Sequence, residues 1–370
     1  VGSEMCIRDS VTAVAGDEQA TVSFTPPVNT GNSSITSYTV TASPGGATAS
    51  GSTSSLVVTG LTNGTSYTFT VTATNVYGTG PSSTASSAVV PFTYVDELFA
   101  TTLYTGNNVT GQTITNGVNL STYGGMVWIK SRSSSSNHTT WSPSLGDTRY
   151  IQPNTTAARS STSAGKGVYA FNTNGFSLGE SLSGENDANQ ATVAWTFREH
   201  AQFFDVVTYT GNWSVLVVNH DLKSTPGCII VKRLNAAYNW AVWNNSLSSS
   251  GQYLNLNLGG AYTSDVAFSS VNSSSFTVTE NATALVNGNG STYIAYIFAS
   301  GATGFGESGT ESAIQCGSYT GNGLAAGQDV NIGWEPQWLL IKNVSALDNW
   351  VIFDSTCLLY TSDAADDTPC

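Results

Sequence analysis

The residues best suited to metal chemistry are three histidines, His138, His200 and His220. They stand 62 and 20 residues apart, and neither a His-x-His nor a His-Glu-x-x-His spacing occurs. Those spacings matter because they aim two imidazoles at one cation from a single strand or helix. The histidine pattern therefore predicts no zinc site and no bound cofactor.

A second candidate is the run Glu185-Asn186-Asp187-Ala188-Asn189, whose side-chain oxygens suit calcium. It lacks the alternating ligands and terminal Glu of a helix-loop-helix calcium site, so a solvated loop is the favoured interpretation. Carboxylate pairs that hydrolyse glycosides are defined by their separation in the fold, and the sequence leaves that possibility open.

Residues 304–309, Gly-Phe-Gly-Glu-Ser-Gly, match the letters of the dinucleotide-binding fingerprint. That fingerprint works only between a strand and a helix, whereas this copy lies in a Gly/Ser-rich linker. The match is interpreted as chance. The sequence thus predicts a non-enzyme with no catalytic, cofactor-binding or metal-binding residues, and it does not identify the ligand-binding residues.

The composition favours strands and argues against two classes of partner. Only 9% of residues are charged and the net charge is −13, whereas binding to nucleic acid needs clustered Lys and Arg. No apolar run approaches the roughly 20 residues that cross a bilayer, so membrane insertion is not expected. Abundant Val, Thr, Tyr and Phe suit half-buried strands, and no stretch keeps a helical period.

Both ends of the chain resemble translated sequencing adapters. Residues 1–9 and 357–366 correspond, codon by codon, to the two ends of a transposase adapter, so 1–10 and 357–370 are expected to be artefacts on a metagenomic fragment truncated at both ends. Without them only Cys228 and Cys316 remain, too few for a disulfide framework. Cys228 begins an apolar run and is expected to be a small buried hydrophobe.

Residues 11–93 alternate apolar and polar side chains in short runs bounded by Pro, Gly and Asn, which predicts antiparallel strands of a sandwich. This segment also resembles a fibronectin type III domain. Residues 16–24 resemble its A–B turn and strand B, with Phe24 in place of the usual Trp, and residues 75–81 resemble its F–G loop. The resemblance implies that the Tyr67 hydroxyl bonds back to the backbone at the E–F corner. The favoured role is a spacer, with loop binding as the alternative.

Residues 94–356 contain internal repeats. The tetrapeptide Tyr-Thr-Gly-Asn begins at residues 104, 209 and 319, and each copy is followed by an apolar run ending in Lys130, Lys232 or Lys342. These lysines are expected to end a buried strand at the rim, with the ammonium in water. Repeats of about 105 residues are domain-sized, so they are predicted to be separate beads rather than a solenoid.

The apolar and aromatic runs later in each repeat also align, and this alignment matches residues 101–200 with residues 203–300. Because Trp141, Trp240 and Trp350 follow the three lysines by 11, 8 and 8 residues, the alignment places Trp141 on Trp240. It also places Trp195 on Tyr296. The predicted boundaries are 94–200 for repeat 1, 201–302 for repeat 2 and 303–356 for a truncated repeat 3.

From residue 103 to residue 354 the chain resembles an uncharacterised repeat domain of tail-fibre and appendage proteins of marine phages. The resemblance is carried by the Tyr-Thr-Gly-Asn runs and by residues 127–132, 193–198, 203–207 and 336–342. That family has no assigned catalytic residues. The predicted fold class is all-β, a fibronectin type III sandwich followed by concanavalin-like or jelly-roll-type sandwich repeats.

The leading interpretation is a virion appendage component, a tail fibre or similar, at the virion surface or in the extracellular space. The expected partners are a host cell-surface glycan or protein and other virion tail proteins, with homo-oligomers possible in the full-length protein. Contacts are expected at loops near Trp213, Tyr238 and Trp243, although core packing is the simpler role for each. The alternatives are a bacterial secreted or cell-surface adhesin and the accessory modules of a truncated polysaccharide depolymerase.

Overall fold

The computed structural model describes residues 10–146, 148–247, 251–260, 266–279, 284–306, 309–324 and 327–356. The segments 1–9 and 357–370, expected to be adapter sequence, lie outside the described residues. The all-β fold class is confirmed: within the described ranges, the helical residues are those of α1 (Leu120–Tyr123), the 3-10 helices Val95–Glu97 and Pro143–Leu145, and residues 355–356. Two compact units form, one from Val1–Val95 with Thr303–Ala313 and one from Asp96–Ala302 with Ile314–Cys370.

The first unit is a two-sheet sandwich whose sheets are ordered β1-β2-β5 and β4-β3-β6-β7. Period-two alternation buries one face of each long strand, as in β6, where every second residue is buried. Its strands are β1 (Thr12–Gly16), β2 (Gln19–Ser23), β3 (Ser37–Ser43), β4 (Thr48–Gly51), β5 (Ser55–Thr59), β6 (Thr68–Asn75) and β7 (Gly78–Thr79).

The core of the first unit confirms two details of the fibronectin resemblance. Phe24 is buried and its ring centroid lies 4.9 Å from that of Tyr38, so it fills the place of the usual Trp. The Tyr67 hydroxyl accepts a hydrogen bond of 3.1 Å from the backbone N–H of Thr62, which forms the expected tyrosine corner.

Repeat 1 is a second sandwich, with sheets ordered β13-β12-β11-β10-β16-β8 and β14-β15-β9. Its strands are β8 (Phe99–Thr105), β9 (Gln112–Ile114), β10 (Gly125–Ser131), β11 (Thr139–Trp141), β12 (Arg149–Ile151), β13 (Ser160–Ser161), β14 (Val168–Asn172), β15 (Gly175–Leu178) and β16 (Ala191–Arg198).

Repeat 2 has the same topology, because its sheets are ordered β17-β24-β19-β20-β21 and β18-β23-β22. Each strand has a counterpart in repeat 1, so the two segments are copies of one sandwich. Its strands are β17 (Phe204–Thr210), β18 (Leu216–Asn219), β19 (Pro226–Arg233), β20 (Ala241–Asn244), β21 (Leu254–Asn255), β22 (Phe268–Val271), β23 (Ser275–Val278) and β24 (Thr292–Ala299).

The remaining strands form two hairpins. β25 (Thr303–Phe305) pairs with β26 (Glu311–Ser312) and clusters with the first unit. β27 (Trp338–Ile341) pairs with β28 (Val351–Asp354) in the second unit. Since Lys342 directly follows β27 and Lys232 lies near the end of β19, this hairpin is the repeat 3 counterpart of β19 and β20.

The ladder registers confirm one of the two predicted Trp equivalences and correct the other. Trp195 pairs with Trp128 in repeat 1, and Tyr296 pairs with Ile230 at the matching point of repeat 2. Trp141 pairs with Val127, but the matching position of repeat 2 belongs to Trp243, which pairs with Ile229.

The counterpart of Trp240 in repeat 1 is therefore His138. The backbone N–H of His138 donates to Asn154 Oδ1 at 3.1 Å, and the backbone N–H of Trp240 donates to Asn257 Oδ1 at 2.9 Å. The predicted superposition of Trp141 on Trp240 was wrong because the loops 132–138 and 234–240 have equal length, so Trp240 ends its loop as His138 does, whereas Trp141 lies three residues further on, in β11.

The repeats pack against one another, so the prediction of separate beads, which was drawn from the repeat length, was wrong. The central strands β16 and β24 are buried on both faces. Ala194 points into the core of repeat 1, while Phe197 points the other way and packs on repeat 2. Its ring centroid lies 5.5 Å from that of Phe204 and 5.6 Å from that of Phe298. The outer faces of the two large sheets thus form a shared aromatic layer.

Candidate functional site

In repeats 1 and 2, the Tyr of the Tyr-Thr-Gly-Asn segment fastens one end of the sandwich. The Tyr104 hydroxyl donates to the backbone oxygen of Glu185 at 2.5 Å, and the Tyr209 hydroxyl donates to that of Val286 at 2.8 Å. Burial raises the pKa of both phenols well above their usual value, so each remains a neutral donor. The tyrosines therefore have a structural role in the turn.

The Gly and Asn of the motif complete that turn. A Cβ on Gly211 would lie 2.5 Å from the backbone oxygen of Gly288, so only glycine fits. The backbone N–H of Asn212 donates to Asn287 Oδ1 at 2.9 Å, and Asn212 Oδ1 accepts from the N–H of Ser214 at 2.9 Å. Equivalent bonds in repeat 1 join Asn107, Asn186 and Val109.

The residue after the motif adopts the left-handed backbone conformation in all three copies. It is Asn108 with φ 55°, Trp213 with φ 59° and Gly323 with φ 69°. Asn and Gly tolerate this region, whereas a bulky residue there is an outlier. Trp213 is also 56% exposed, so packing gives it little stabilisation in return.

The three aromatics expected near loops thus differ in environment. Trp213 is exposed. Trp243 is buried and belongs to the core of repeat 2. Tyr238 is partly buried against the same core, and the guanidinium of Arg233 lies 4.6 Å from its ring centroid. Of the three, only Trp213 is predominantly exposed.

Lys232 is fully buried, which corrects the expectation that its ammonium lies in water. Its Nζ donates to the backbone oxygen of Thr156 in repeat 1 at 2.9 Å and to that of Tyr238 at 2.5 Å. It also lies 5.7 Å from the centroid of the Trp240 ring. Burial lowers the pKa of Lys232 to about 8. This lysine therefore fastens repeat 2 to repeat 1.

The equivalent lysines also bond to backbone oxygens. Lys342 Nζ donates to the backbone oxygens of Gly259, in repeat 2, and of Asp348. Lys130 Nζ donates to the backbone oxygens of Ser134 at 3.0 Å and Ser136 at 2.9 Å, both in its own repeat. The rim interpretation therefore fails for Lys232, whose buried ammonium has carbonyl acceptors in place of water, whereas Lys130 and Lys342 remain partly exposed.

A Trp accompanies the lysine at each junction between repeats. Trp240 Nε1 donates to the backbone oxygens of Gln152 at 3.2 Å and Thr155 at 3.1 Å, both in repeat 1. Trp350 Nε1 donates to the backbone oxygen of Asn255, in repeat 2, at 2.9 Å. Each later repeat thus uses its Lys and Trp, here called the Lys–Trp clamp, to hold a loop of the preceding repeat.

Repeat 3 also contacts repeat 1 directly. The ring of Trp338 lies 6.4 Å from that of Trp128 and 5.4 Å from that of Phe197, measured between centroids. Trp195 Nε1 donates to Asp354 Oδ2 at 3.1 Å, and both side chains are buried. The three copies therefore pack around common aromatic residues.

The Glu185 run is not the solvated loop that the sequence favours. Glu185 and Asn186 are buried, and the two Glu185 carboxylate oxygens accept from the backbone N–H groups of Leu182 at 2.7 Å and Ser183 at 2.8 Å. Asn186 Nδ2 donates to the backbone oxygen of Gly179 at 2.6 Å. These polar groups brace the turn that holds Tyr104.

The histidines stay apart in the structure. Burial, and secondarily the charge of Lys130, lowers the pKa of His138 to about 4, and His138 Nδ1 accepts from Trp128 Nε1 at 3.0 Å. His220 is buried and within hydrogen-bonding distance of the backbone oxygen of Asn272. Across the described ranges, no three His, Cys, Asp or Glu side chains gather as metal ligands would.

One serine has the letters of a hydrolase nucleophile motif, in the run Gly175-Phe176-Ser177-Leu178-Gly179. The nucleophile elbow requires a sharp turn from a strand into a helix. Ser177 instead lies within β15, opposite Thr113 of β9, and its Oγ accepts from Asn172 Nδ2 at 2.9 Å. Its position is that of an ordinary strand residue.

Sequence reasoning missed the Lys–Trp clamp, although the signal was present. Asn137, Asn239 and Asn349 precede His138, Trp240 and Trp350 at equivalent positions. Asn154 Nδ2 donates to Asn137 Oδ1 at 2.8 Å, and Asn257 Nδ2 donates to Asn239 Oδ1 at 2.9 Å. Aligning these asparagines rather than the tryptophans gives the correct register.

Comparison with known proteins supports the division of the chain. A fibronectin type III model matches residues 9–89, and the model of the domain of unknown function DUF7483 matches residues 95–365. No curated protein matches the chain. Among the described residues, no helix has the length and apolar character to cross a membrane.

Two solved structures show only distant likeness. One contains the titin kinase and its flanking domains, with 13% identity and a TM-score of 0.22, and the match covers 54% of this chain and 39% of that one. The other contains the FN1–FN3 domains of chicken CNTN1, with 14% identity and a TM-score of 0.19, and the match covers 80% and 92%. The chain thus spans about two fifths of the titin structure.

The family models agree with the architecture: one small sandwich with a tyrosine corner, then copies of a second sandwich fastened by Lys–Trp clamps. The chain belongs to the DUF7483 family and carries a fibronectin type III domain before its DUF7483 region.

Proposed function

We propose that the chain is a structural and binding component of a virion appendage, a tail fibre or similar, which spaces and attaches the particle to a host surface without catalysis. Its ligand is a glycan or protein of the host cell surface, and its structural partners are other tail proteins. Fibronectin type III domains are typical extracellular or surface-exposed modules, which supports this location.

The observation that carries the proposal is the packing of tandem copies. The Lys–Trp clamp joins repeat 2 to repeat 1 and repeat 3 to repeat 2 through backbone oxygens, so the copies form one body. A rigid body of repeated sandwiches holds the turns at its ends in fixed positions, and loops on a rigid scaffold are where binding residues concentrate. This arrangement suits spacing and multivalent attachment.

The test is binding of the purified chain, first as a monomer and then displayed in many copies on a carrier, to whole cells and to glycan arrays. Single-site affinity is expected to be roughly millimolar to micromolar, and multimers should bind at least tenfold more strongly because the second contact is intramolecular. The bare carrier is the control. Absence of binding by the multimer would leave a structural spacer as the better account.

The main alternative is a bacterial secreted or cell-surface adhesin built from the same modules. The genes beside this one separate the two: capsid, portal and tail genes support the appendage, whereas secretion and cell-wall anchoring genes support the adhesin. Polysaccharide turnover by the purified chain would instead favour the accessory modules of a depolymerase.

A further inference from the structure

The position of Trp213 is occupied by different residues in three otherwise matching turns. In each copy the preceding Asn accepts a hydrogen bond through its side-chain oxygen from the residue two positions later, with donors Val109, Ser214 and Leu324. Because the turn forms with Asn108 or with Gly323 at this position, its geometry does not require Trp213. The choice of Trp needs another explanation.

The backbone conformation at Trp213 suits Asn or Gly better than Trp. A bulky side chain in the left-handed region carries a free-energy cost that Asn or Gly reduces. Trp213 makes its turn contact through its backbone N–H, which donates to the backbone oxygen of Asn287 at 3.1 Å. Its exposed ring contributes little to the core. Backbone strain under an exposed aromatic side chain indicates a role in binding.

The surroundings of Trp213 define the chemistry of a partner. Val215 and Val217 follow it in sequence and are 69% and 56% exposed, and as alternate residues of the extended segment that leads into β18 these two share a direction. No charged residue occurs between Val206 and Asn219. In repeat 1, β9 places Thr113 at the position of Val217. Repeat 2 thus carries an uncharged apolar strip, defined as Trp213, Val215 and Val217, which repeat 1 does not share.

The size of the strip favours a small ligand unit over a protein surface. Its exposed area is roughly 300 Å², well below the roughly 800 Å² per partner of a stable protein interface. A pyranose ring presents one apolar face of C–H groups, which are attracted to the electron-rich face of an indole. Neutral sugars also match the lack of charge, whereas acidic glycans would find no cationic partner in the strip.

Resting on the proposed attachment function, we propose that Trp213 stacks on a pyranose ring of a neutral surface saccharide, with Val215 and Val217 extending the contact. Each site binds weakly, and attachment depends on several copies of the chain engaging one surface. The fibronectin type III unit then serves as a spacer.

The decisive variant is Trp213→Asn, which installs the residue that repeat 1 uses in the same turn. The multimerised variant should bind neutral saccharides on a glycan array at least tenfold more weakly than the unmodified multimer, and its melting temperature should be equal or higher. Trp334→Asn, which removes another partly exposed indole, is the matched control and should bind as the unmodified chain does.

The outcomes separate this inference from the function on which it rests. An unmodified multimer that binds neither cells nor saccharides contradicts the proposed function itself. Binding that survives Trp213→Asn, or that Trp334→Asn weakens equally, contradicts the role of Trp213 alone. Cell binding that persists after periodate oxidation of surface sugars contradicts a saccharide ligand and points to a protein.

Discussion

Trp195 of repeat 1 donates a hydrogen bond of 3.1 Å from its indole Nε1 to Asp354 Oδ2 of repeat 3, across 159 residues of sequence. Both side chains are buried, so neither group has water as a substitute partner. Leaving a buried donor unpaired costs about 1–3 kcal/mol. This bond and the rings of Trp128 and Trp338 hold the β27–β28 hairpin against repeat 1.

Replacing Asp354 by Leu should loosen that hairpin. Trp195 would lose its acceptor, and amide hydrogen exchange in β27 and β28 should accelerate about tenfold or more, while exchange in β19 stays unchanged. Asp354→Asn, which keeps a side-chain oxygen, is the matched control and should show a smaller effect. Equal exchange in all three proteins would show that the bond does not hold the hairpin.

The two neighbouring tryptophans of repeat 2 should respond differently to substitution by Phe. Trp240→Phe removes both hydrogen bonds to the loop of repeat 1 and should lower the free energy of unfolding by about 2–3 kcal/mol. Trp243→Phe should cost less, because Trp243 Nε1 is buried without a hydrogen-bond partner within the described ranges. Urea denaturation of the two variants measures the difference, and a larger loss for Trp243→Phe would contradict the clamp.

In the first unit, Tyr67→Phe removes the hydroxyl that accepts from the backbone N–H of Thr62. The phenyl ring remains in the core, so the expected loss is that of one hydrogen bond, about 1 kcal/mol. Thermal unfolding of the first unit should shift downward by roughly 4–8 °C for a domain of this size. Tyr77→Phe, at an exposed tyrosine, is the control and should leave the transition in place.

The alternation of side chains was sufficient to predict the strands of the first unit, because one face of each sheet meets water there, whereas its Tyr67 corner followed from the fibronectin type III resemblance. In the second unit, β16 and β24 are buried on both faces and read as continuous apolar runs. The internal repeats showed that these runs recur, and from this the equivalence of Trp195 in repeat 1 and Tyr296 in repeat 2 was predicted. The repeats did not predict that the outer faces of the two large sheets pack together, since that packing depends on contacts between residues of different copies.

The Lys–Trp clamp was harder to predict, because the sequence does not show whether a Lys or Trp side chain bonds to water or to a backbone carbonyl. Lys232 was expected in solvent, yet its acceptors Thr156 and Tyr238 lie 76 residues and 6 residues away. The Trp141 alignment failed because the loop position that holds Trp240 in repeat 2 holds His138 in repeat 1, so matching Trp to Trp shifted the alignment by three residues. Trp213 could be named from its loop, but its left-handed backbone and exposure are properties of the structure alone.

A carboxyl group near the start of repeat 2 should make stability depend on pH. Desolvation, then the charges of Asp205 and Asp221, raise the pKa of Glu199 from 4.5 to about 8 against an opposing backbone hydrogen bond from Gly125. Because this pKa is higher in the folded state, the folded chain binds the proton more tightly. The contribution to stability is therefore fully present below about pH 4.5 and is lost as pH rises through 8.

Glu199→Gln mimics the protonated carboxyl group and should remove that loss. At pH 9 the variant should be more stable than the unmodified chain by roughly 2–3 kcal/mol, a value reduced from the full shift because the group is partly exposed. At pH 4 the two should unfold at nearly the same urea concentration. Glu180→Gln, at an exposed carboxylate 3.0 Å from Lys166, should change stability by less than about 1 kcal/mol at either pH. If Glu199→Gln and the unmodified chain have the same free energy of unfolding at pH 9, water reaches Glu199 in the folded state and its pKa is not raised.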